Sequence, residues 1–199
     1  MKLGLFGGTF NPPHIGHVAL AKSAVEELSL DKLLLMPARI PPHKALPGDS
    51  ASLEERYDMS VIAASLIPRC EASRLEMDRD SKSYTAETLA RLRELYPGAE
   101  IVILMGGDML LTLDRWYHAP SILARAEIAA AARDEEEAPL LAKKKEELEE
   151  AFGAKITLLS HKVISISSSE IRDALAAGKE SGFLPPEVAR YIRKRNLYR

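Results

Sequence analysis

A chain of 199 residues with a formal net charge of −2 suits a single domain with one substantial core, and it carries no general electrostatic grip on nucleic acid or an anionic membrane. Its single cysteine, Cys70, excludes an internal disulfide and a thiolate zinc cluster, and a buried, inert thiol is the default expectation. No apolar run approaches the roughly 20 residues that span a bilayer, and MKLGLFGG lacks the regions of a signal peptide, so a soluble, cytoplasmic protein is expected.

Short apolar runs recur in chain order: KLGLF (2–6), KLLLM (32–36), IVILM (101–105), IAAAA (128–132) and ITLL (156–159). Helical patterning fills most of the intervals, over 17–28, 53–66, 85–96, 139–152, 168–177 and 185–194. Strands that alternate with helices predict a parallel sheet covered on both faces, because a parallel connection needs a crossover. The fold class is therefore α/β, doubly wound and Rossmann-like. IAAAA is the weakest strand by propensity, since alanine prefers helix, but its spacing fits a buried one. RLEMD, near residue 75, is one more candidate strand.

DEEEAPLLAKKKEELEE reads as a solvated surface helix with Pro139 at its first position, acid at its positive end, and Leu141, Leu148 and Phe152 on one face. PARIPPHKALPGDS (37–50), with four prolines and one glycine, is a long loop after the second strand, where long loops usually serve a site. No internal repeat or interdomain linker stands out. Tyr57 and Met59 read as core.

The connection after the first strand, GGTFNPPHIGH (7–17), is where open α/β sheets bind ligands. Gly7 and Gly8 permit close backbone approach, and Pro12 and Pro13 delay the helix so that His14 and His17 stand at its amino end. There the helix dipole and unused N–H groups attract anions. The stretch has no Lys-Ser/Thr of a Walker loop and no G-x-G-x-x-G. Two histidines three apart, without further ligands nearby, make a poor zinc set, and no resident metal site is assigned. A phosphate cradle and a tight turn with incidental histidines both fit this stretch.

ISSSEIR (166–172) adds a second anion site. Ser167 and Glu170 have the spacing of a capping box, so a helix starts here, and three hydroxyls with Arg172 one turn in add donors and a cation. The cap and the anion site are compatible.

GGTFNPPH, HIGH and ISSSEIR together resemble the nucleotidylyltransferase superfamily, most closely the bacterial nicotinate mononucleotide adenylyltransferases. HIGH also resembles class I aminoacyl-tRNA synthetases, but this chain is too short and has no K-M-S-K-S string. PPHK (41–44), ERYDM (55–59), SYTAETL (83–89), GGD (106–108) and RWYH (115–118) match as well and span almost the whole chain in order.

The resemblance implies adenylyl transfer from ATP to nicotinate mononucleotide, giving nicotinate adenine dinucleotide and pyrophosphate in NAD biosynthesis, with Mg²⁺ bound mainly through the ATP phosphates. It implies that Gly7, Gly8, Thr9 and Phe10 lie along the nucleotide, and that His14 and His17 contact the phosphates, His17 nearest the α-phosphate. Lys44, Ile166, Ser167, Ser168 and Arg172 would surround the outgoing pyrophosphate, and Gly107 and Asp108 would lie near the ribose. Thr85 and Trp116, with Tyr84 and Tyr117 nearby, would form the pyridine pocket, the flat indole being a suitable partner for pyridine stacking. Arg133 would be a further substrate-binding residue, matching the family's arginine after the fourth strand, although Asp134 and acidic residues follow it in place of the R-P-G context, and Arg39 stands where some relatives have a polar amide. No role falls to His43, His118 or His161. Another phosphate-bearing acceptor, such as nicotinamide mononucleotide or a phosphopantetheine, and a non-catalytic nucleotide sensor are the rival readings. A homo-oligomer is left open.

Overall fold

The computed structural model describes every residue except 42–45, 47, 49, 81, 133, 161–163 and 165. Its centre is a six-stranded sheet of β1 (Lys2–Gly8), β2 (Lys32–Pro37), β3 (Cys70–Ala72), β4 (Glu100–Gly106), β5 (Glu127–Ala131) and β6 (Lys155–Leu158), in the order β3-β2-β1-β4-β5-β6. Every neighbouring pair is parallel. The helices are α1 (Ile15–Glu27), α2 (Leu53–Ala64), α3 (Thr85–Leu95), α4 (Gly107–Leu110), α5 (Ala119–Leu123), α6 (Glu137–Phe152), α7 (Ser168–Ala176) and α8 (Pro186–Arg195). None of the described helices is long and apolar enough to cross a membrane.

The strand alternation sorts the core into two layers. Leu3, Leu5, Ile101, Ile103, Met105, Ile128 and Ala130 pack on one face with Leu89 and Leu92 of α3 and Leu141 and Leu148 of α6. Phe6, Leu33, Leu35, Val102, Leu104, Ala129 and Ala131 pack on the other with α1 and with Ala63 and Ala64 of α2. β5 is a strand despite its alanines because all three, Ala129 to Ala131, are fully enclosed between the layers, where burial overrides propensity. A third, smaller core joins α2, α7 and α8 through Ala51, Met59, Ile171, Leu184, Val188, Ile192 and Tyr198. It lies outside the sheet and docks α7 beside the β1–α1 loop.

Five expectations need correction. RLEMD is not a strand: Met77 and Asp78 direct their N–H groups back to the Arg74 carbonyl in a turn, and the sheet edge is Cys70–Ala72. Met77 is buried there as a turn residue, which a strand pattern cannot distinguish. α6 begins at Glu137, not Pro139, because Asp134 Oδ1 accepts the Glu137 N–H at 2.8 Å and starts the helix early. Phe152 stays exposed, and Tyr57 is half-buried under the Arg74 guanidinium, 4.8 Å from its ring centroid. Cys70 is also half-buried, and burial pushes its thiol up to about 12, so it carries little thiolate.

After β3 the chain returns across the sheet to pair β4 on the far side of β1. The order therefore reverses between β1 and β4, and a crevice opens at their carboxyl ends. Gly7 and Gly8 end one strand there, and Gly106 and Gly107 leave the other.

Candidate active site

The two glycines after β1 do different things. A Cβ on Gly7 would meet nothing within 4 Å, so the backbone there is open to a ligand. A Cβ on Gly8 would lie 2.8 to 3.1 Å from the Phe10 ring. Phe10 itself, expected along the nucleotide, turns inward with only 1% exposure and φ of +47°. Its ring meets Phe6 edge-on at 5.5 Å and His17 at 5.1 Å. The second glycine thus makes room for a phenylalanine that braces a histidine, and only the Phe10 backbone remains for a ligand.

His14 caps α1 from an extended conformation and is 6% exposed. Its backbone N–H donates to His17 Nδ1 at 3.2 Å, and the two imidazoles stack with centroids 3.7 Å apart at 31°. A Cβ on Gly16 would fall 3.0 Å from the His14 ring and 3.2 Å from the Ile164 carbonyl, which explains the glycine inside HIGH. The expectation of unused N–H groups at this helix end holds less widely than the sequence suggested: the Ile15 N–H donates to the Phe183 carbonyl at 2.9 Å.

The second motif docks directly on the first. Ser168 Oγ donates to the Pro12 carbonyl at 2.9 Å, and Arg172 Nη1 donates to the Asn11 carbonyl at 2.8 Å, across 156 and 161 positions of sequence. Arg172 Nη2 reaches Ser169 Oγ at 3.2 Å. Ser167 is the cap: its Oγ accepts the Glu170 N–H at 3.2 Å and donates to the Glu170 carboxylate at 2.6 Å. Ile166 is half-buried against the third core. Lys44 and Arg133 lie outside the described residues, as do His43 and His161.

Arg56, which the sequence singled out only as a letter in ERYDM, is the largest fully buried side chain. Its Nη1 donates to the carbonyls of Thr9 (2.9 Å) and Ala38 (2.7 Å), and its Nη2 to that of Arg39 (3.3 Å). Burial lowers its proton affinity, but a guanidinium remains charged. It fastens the loop after β1 to the loop after β2. A charged residue buried against carbonyls leaves no periodic signature, so a hydrophobicity pattern passes over it.

The rim continues toward the aromatic residues. The Ala38 N–H donates to the Gly8 carbonyl, the Arg39 N–H to Ser83 Oγ at 3.1 Å, and the Ser83 N–H to the Ile40 carbonyl. Arg39 itself donates to the Met77 carbonyl at 2.8 Å and pairs with Asp80 at 2.6 Å, so its charge is engaged within the rim. Next in sequence stand Tyr84 and Thr85, at the amino end of α3. Tyr84 and Tyr117 stack at 4.5 Å, with Tyr117 49% exposed. Trp116 instead packs half-buried against the first core. Of the four residues expected around the pyridine, Tyr117 is exposed and Tyr84, Thr85 and Trp116 are half-buried. Asp108 lies in the first turn of α4, directly after β4, and a Cβ on Gly107 would meet the Glu137 carboxylate at 2.7 Å.

Glu76 supports this rim from below. It is 5% exposed, accepts the Thr88 hydroxyl at 2.7 Å, and is also bonded by Ser83. Arg79 Nη2 donates to the same Thr88 oxygen at 3.0 Å. Burial raises the Glu76 carboxyl above its ordinary value, and the bonds and the Arg79 charge only partly offset this.

The cytidylyltransferase-like family model matches residues 5–174. A relative from Gloeobacter violaceus is 40% identical, covering 99% of this chain and 96% of its own. One from Thermus thermophilus is 37% identical over the full length of both. Each is named "Probable nicotinate-nucleotide adenylyltransferase". Among solved structures, Plasmodium falciparum nicotinic acid mononucleotide adenylyltransferase complexed with NaAD superposes with a TM-score of 0.79 at 21% identity, covering 99% of this chain and 97% of that one. That likeness concerns the fold. With the sequence relatives spanning the whole chain, the family is shown: this chain belongs to the cytidylyltransferase-like family and, within it, to the nicotinate-nucleotide adenylyltransferases.

Proposed function

We propose that the chain transfers the adenylyl group of ATP to nicotinate mononucleotide, forming nicotinate adenine dinucleotide and pyrophosphate. The observation that carries this reading, beside family membership, is the direct docking of α7 on the histidine loop through Ser168 and Arg172. It gathers two imidazoles, a guanidinium and a helix amino end at the switch point between β1 and β4.

A phosphate oxygen of nicotinate mononucleotide attacks the α-phosphorus of ATP, and the bond from that phosphorus to the oxygen of the β-phosphate breaks. With a second pKa near 6, the attacking phosphate is largely dianionic at neutral pH and needs no strong general base. The protein's work is alignment in line and neutralisation of charge growing toward the leaving group. His17 donates from Nε2 to the α-phosphate, because its Nδ1 is occupied as an acceptor. Arg172 and Lys44 hold the departing pyrophosphate, and the Tyr84–Tyr117 pair with Thr85 receives the pyridine.

Mg²⁺ would neutralise the triphosphate. Among the described residues there is no group of three or more His, Cys, Asp or Glu side chains that could hold a metal ion. Phosphate oxygens and water would supply the ligands.

Pyrophosphate release with ATP and Mg²⁺, offered nicotinate and nicotinamide mononucleotides in parallel, tests the proposal. Strong preference for the acid supports it. Turnover confined to the amide or to another phosphate acceptor replaces the substrate, and ATP binding without release under any acceptor replaces the activity with sensing.

A further inference from the structure

Asn11 is a junction between three parts of the site and a distant segment. Its side chain is 2% exposed. Nδ2 donates to Ser50 Oγ at 3.0 Å, and Oδ1 accepts the Ala51 N–H at 3.2 Å, which ties it to the start of α2 after the long loop. Its carbonyl accepts Arg172. The shortest of the side-chain contacts comes from Tyr198, whose hydroxyl donates to Oδ1 at 2.7 Å from 187 positions away.

The backbone around Tyr198 is costly. Asn196 and Tyr198 both adopt left-handed conformations, φ +54° and +60°, which turn the segment after α8 back into the molecule. For an ordinary side chain this conformation is disfavoured and persists only where the surroundings impose it. Here the phenol is 4% exposed inside the third core, with its hydroxyl on Asn11.

We propose that Tyr198 is a positioning residue of the adenylyl-transfer site: acting through Asn11, its hydroxyl fixes residues 11–14 and thereby the bond from the His14 N–H that orients His17. Only Pro12 and Pro13 separate the junction from His14, and their locked φ angles transmit a displacement with little slack. The inference rests on the proposed function for its effect on turnover, but its effect on the imidazoles is independent of it.

Tyr198→Phe keeps the ring and removes the hydroxyl. Tyr191→Phe is the control, because the Tyr191 hydroxyl donates to Asp58 at 2.7 Å and joins α8 to α2 without touching the loop. Both variants should lose a few degrees of thermal stability. Tyr198→Phe alone should lower kcat about tenfold with KM for nicotinate mononucleotide little changed, and it alone should shift the His17 ring signals in nuclear magnetic resonance. Wild-type kcat with unmoved ring signals would reduce Tyr198 to a packing residue and overturn the proposal. If the parent protein releases no pyrophosphate with any acceptor, the functional reading fails while the ring signals still decide the role of Tyr198. Should Tyr198→Phe fold poorly, Ser50→Ala removes the other side-chain partner of Asn11 and must displace the same signals; unmoved signals there also overturn it.

Discussion

The His14 N–H and His17 Nδ1 form a hydrogen bond of 3.2 Å between the cap of α1 and its third residue. An acceptor at Nδ1 places the proton of a neutral imidazole on Nε2, so the orienting bond also selects the tautomer that can donate to a phosphate. The Phe10 ring, edge-on at 5.1 Å, holds the imidazole from another side.

From this follows the first expectation. Removing one preorganised donor from a developing charge usually costs about a hundred- to a thousandfold in kcat. His17→Ala should show a loss of that order, with the ATP dissociation constant moved much less, because the contact strengthens as charge builds. Steady-state kinetics with calorimetric ATP titration separates the two quantities. Unchanged turnover would take His17 out of the chemistry.

Arg56 supplies the donors for three carbonyls in two loops. Arg56→Met fills similar volume but leaves those carbonyls without their charged donor, a loss of about 2–4 kcal/mol. For a domain of this size that is roughly 5–15 °C of melting temperature. Arg56→Lys, with a single ammonium in place of a planar fork, should recover only part of it. Thermal denaturation measures both, and a melting temperature within about 2 °C of the parent would show that the loops are held by other means.

The contrast between Arg56 and His17 marks what the chain discloses before it folds. Apolar runs located five strands of the sheet, since each must be covered on both faces, and glycines with histidines marked the crevice. β3 escaped because its three residues make an edge too short to carry a period, while RLEMD offered a false one. α4, the turn at Leu113–Arg115 and α5 are likewise too short for helical periodicity. Within the site, the loops that line the crevice were legible and their buried support was not. Gly8 reads as a glycine for a ligand, and the structure adds that a Cβ there would collide with the Phe10 ring. Asn11 and Arg56 serve through long-range partners, and those partners exist only once the sheet has formed.

The tyrosine pair yields a second kinetic expectation. Tyr84 and Tyr117 stack at 4.5 Å with Tyr117 half out in solvent, whereas Trp116 packs half-buried against the first core. An aromatic platform contributes about 0.5–1.5 kcal/mol beyond the area it buries. Tyr117→Ala should therefore raise KM for nicotinate mononucleotide roughly three- to tenfold and leave KM for ATP unchanged. Trp116→Phe, by comparison, should act chiefly on stability. If Trp116→Phe raises the KM and Tyr117→Ala does not, the pyridine lies on the indole instead.

Glu76 makes stability depend on pH in the direction opposite to a salt-bridged carboxylate. Burial raises its folded-state pKa above the ordinary 4.5. The folded protein thus binds this proton more tightly than the unfolded chain does. Its contribution is fully present below about pH 4.5 and is lost as pH rises through the raised folded value. Glu76→Gln keeps an acceptor for the Thr88 hydroxyl and cannot ionise. Urea midpoints for parent and variant should lie close at pH 4.5, and the variant should gain on the parent toward pH 8. Taking the difference cancels the other titrating groups, including the Arg74–Glu54 and Lys155–Glu127 pairs that both proteins share. A gap that stays flat across this range, or that favours the parent increasingly at high pH, would mean that Thr88, Ser83 and Arg79 hold the carboxylate ionised within the fold.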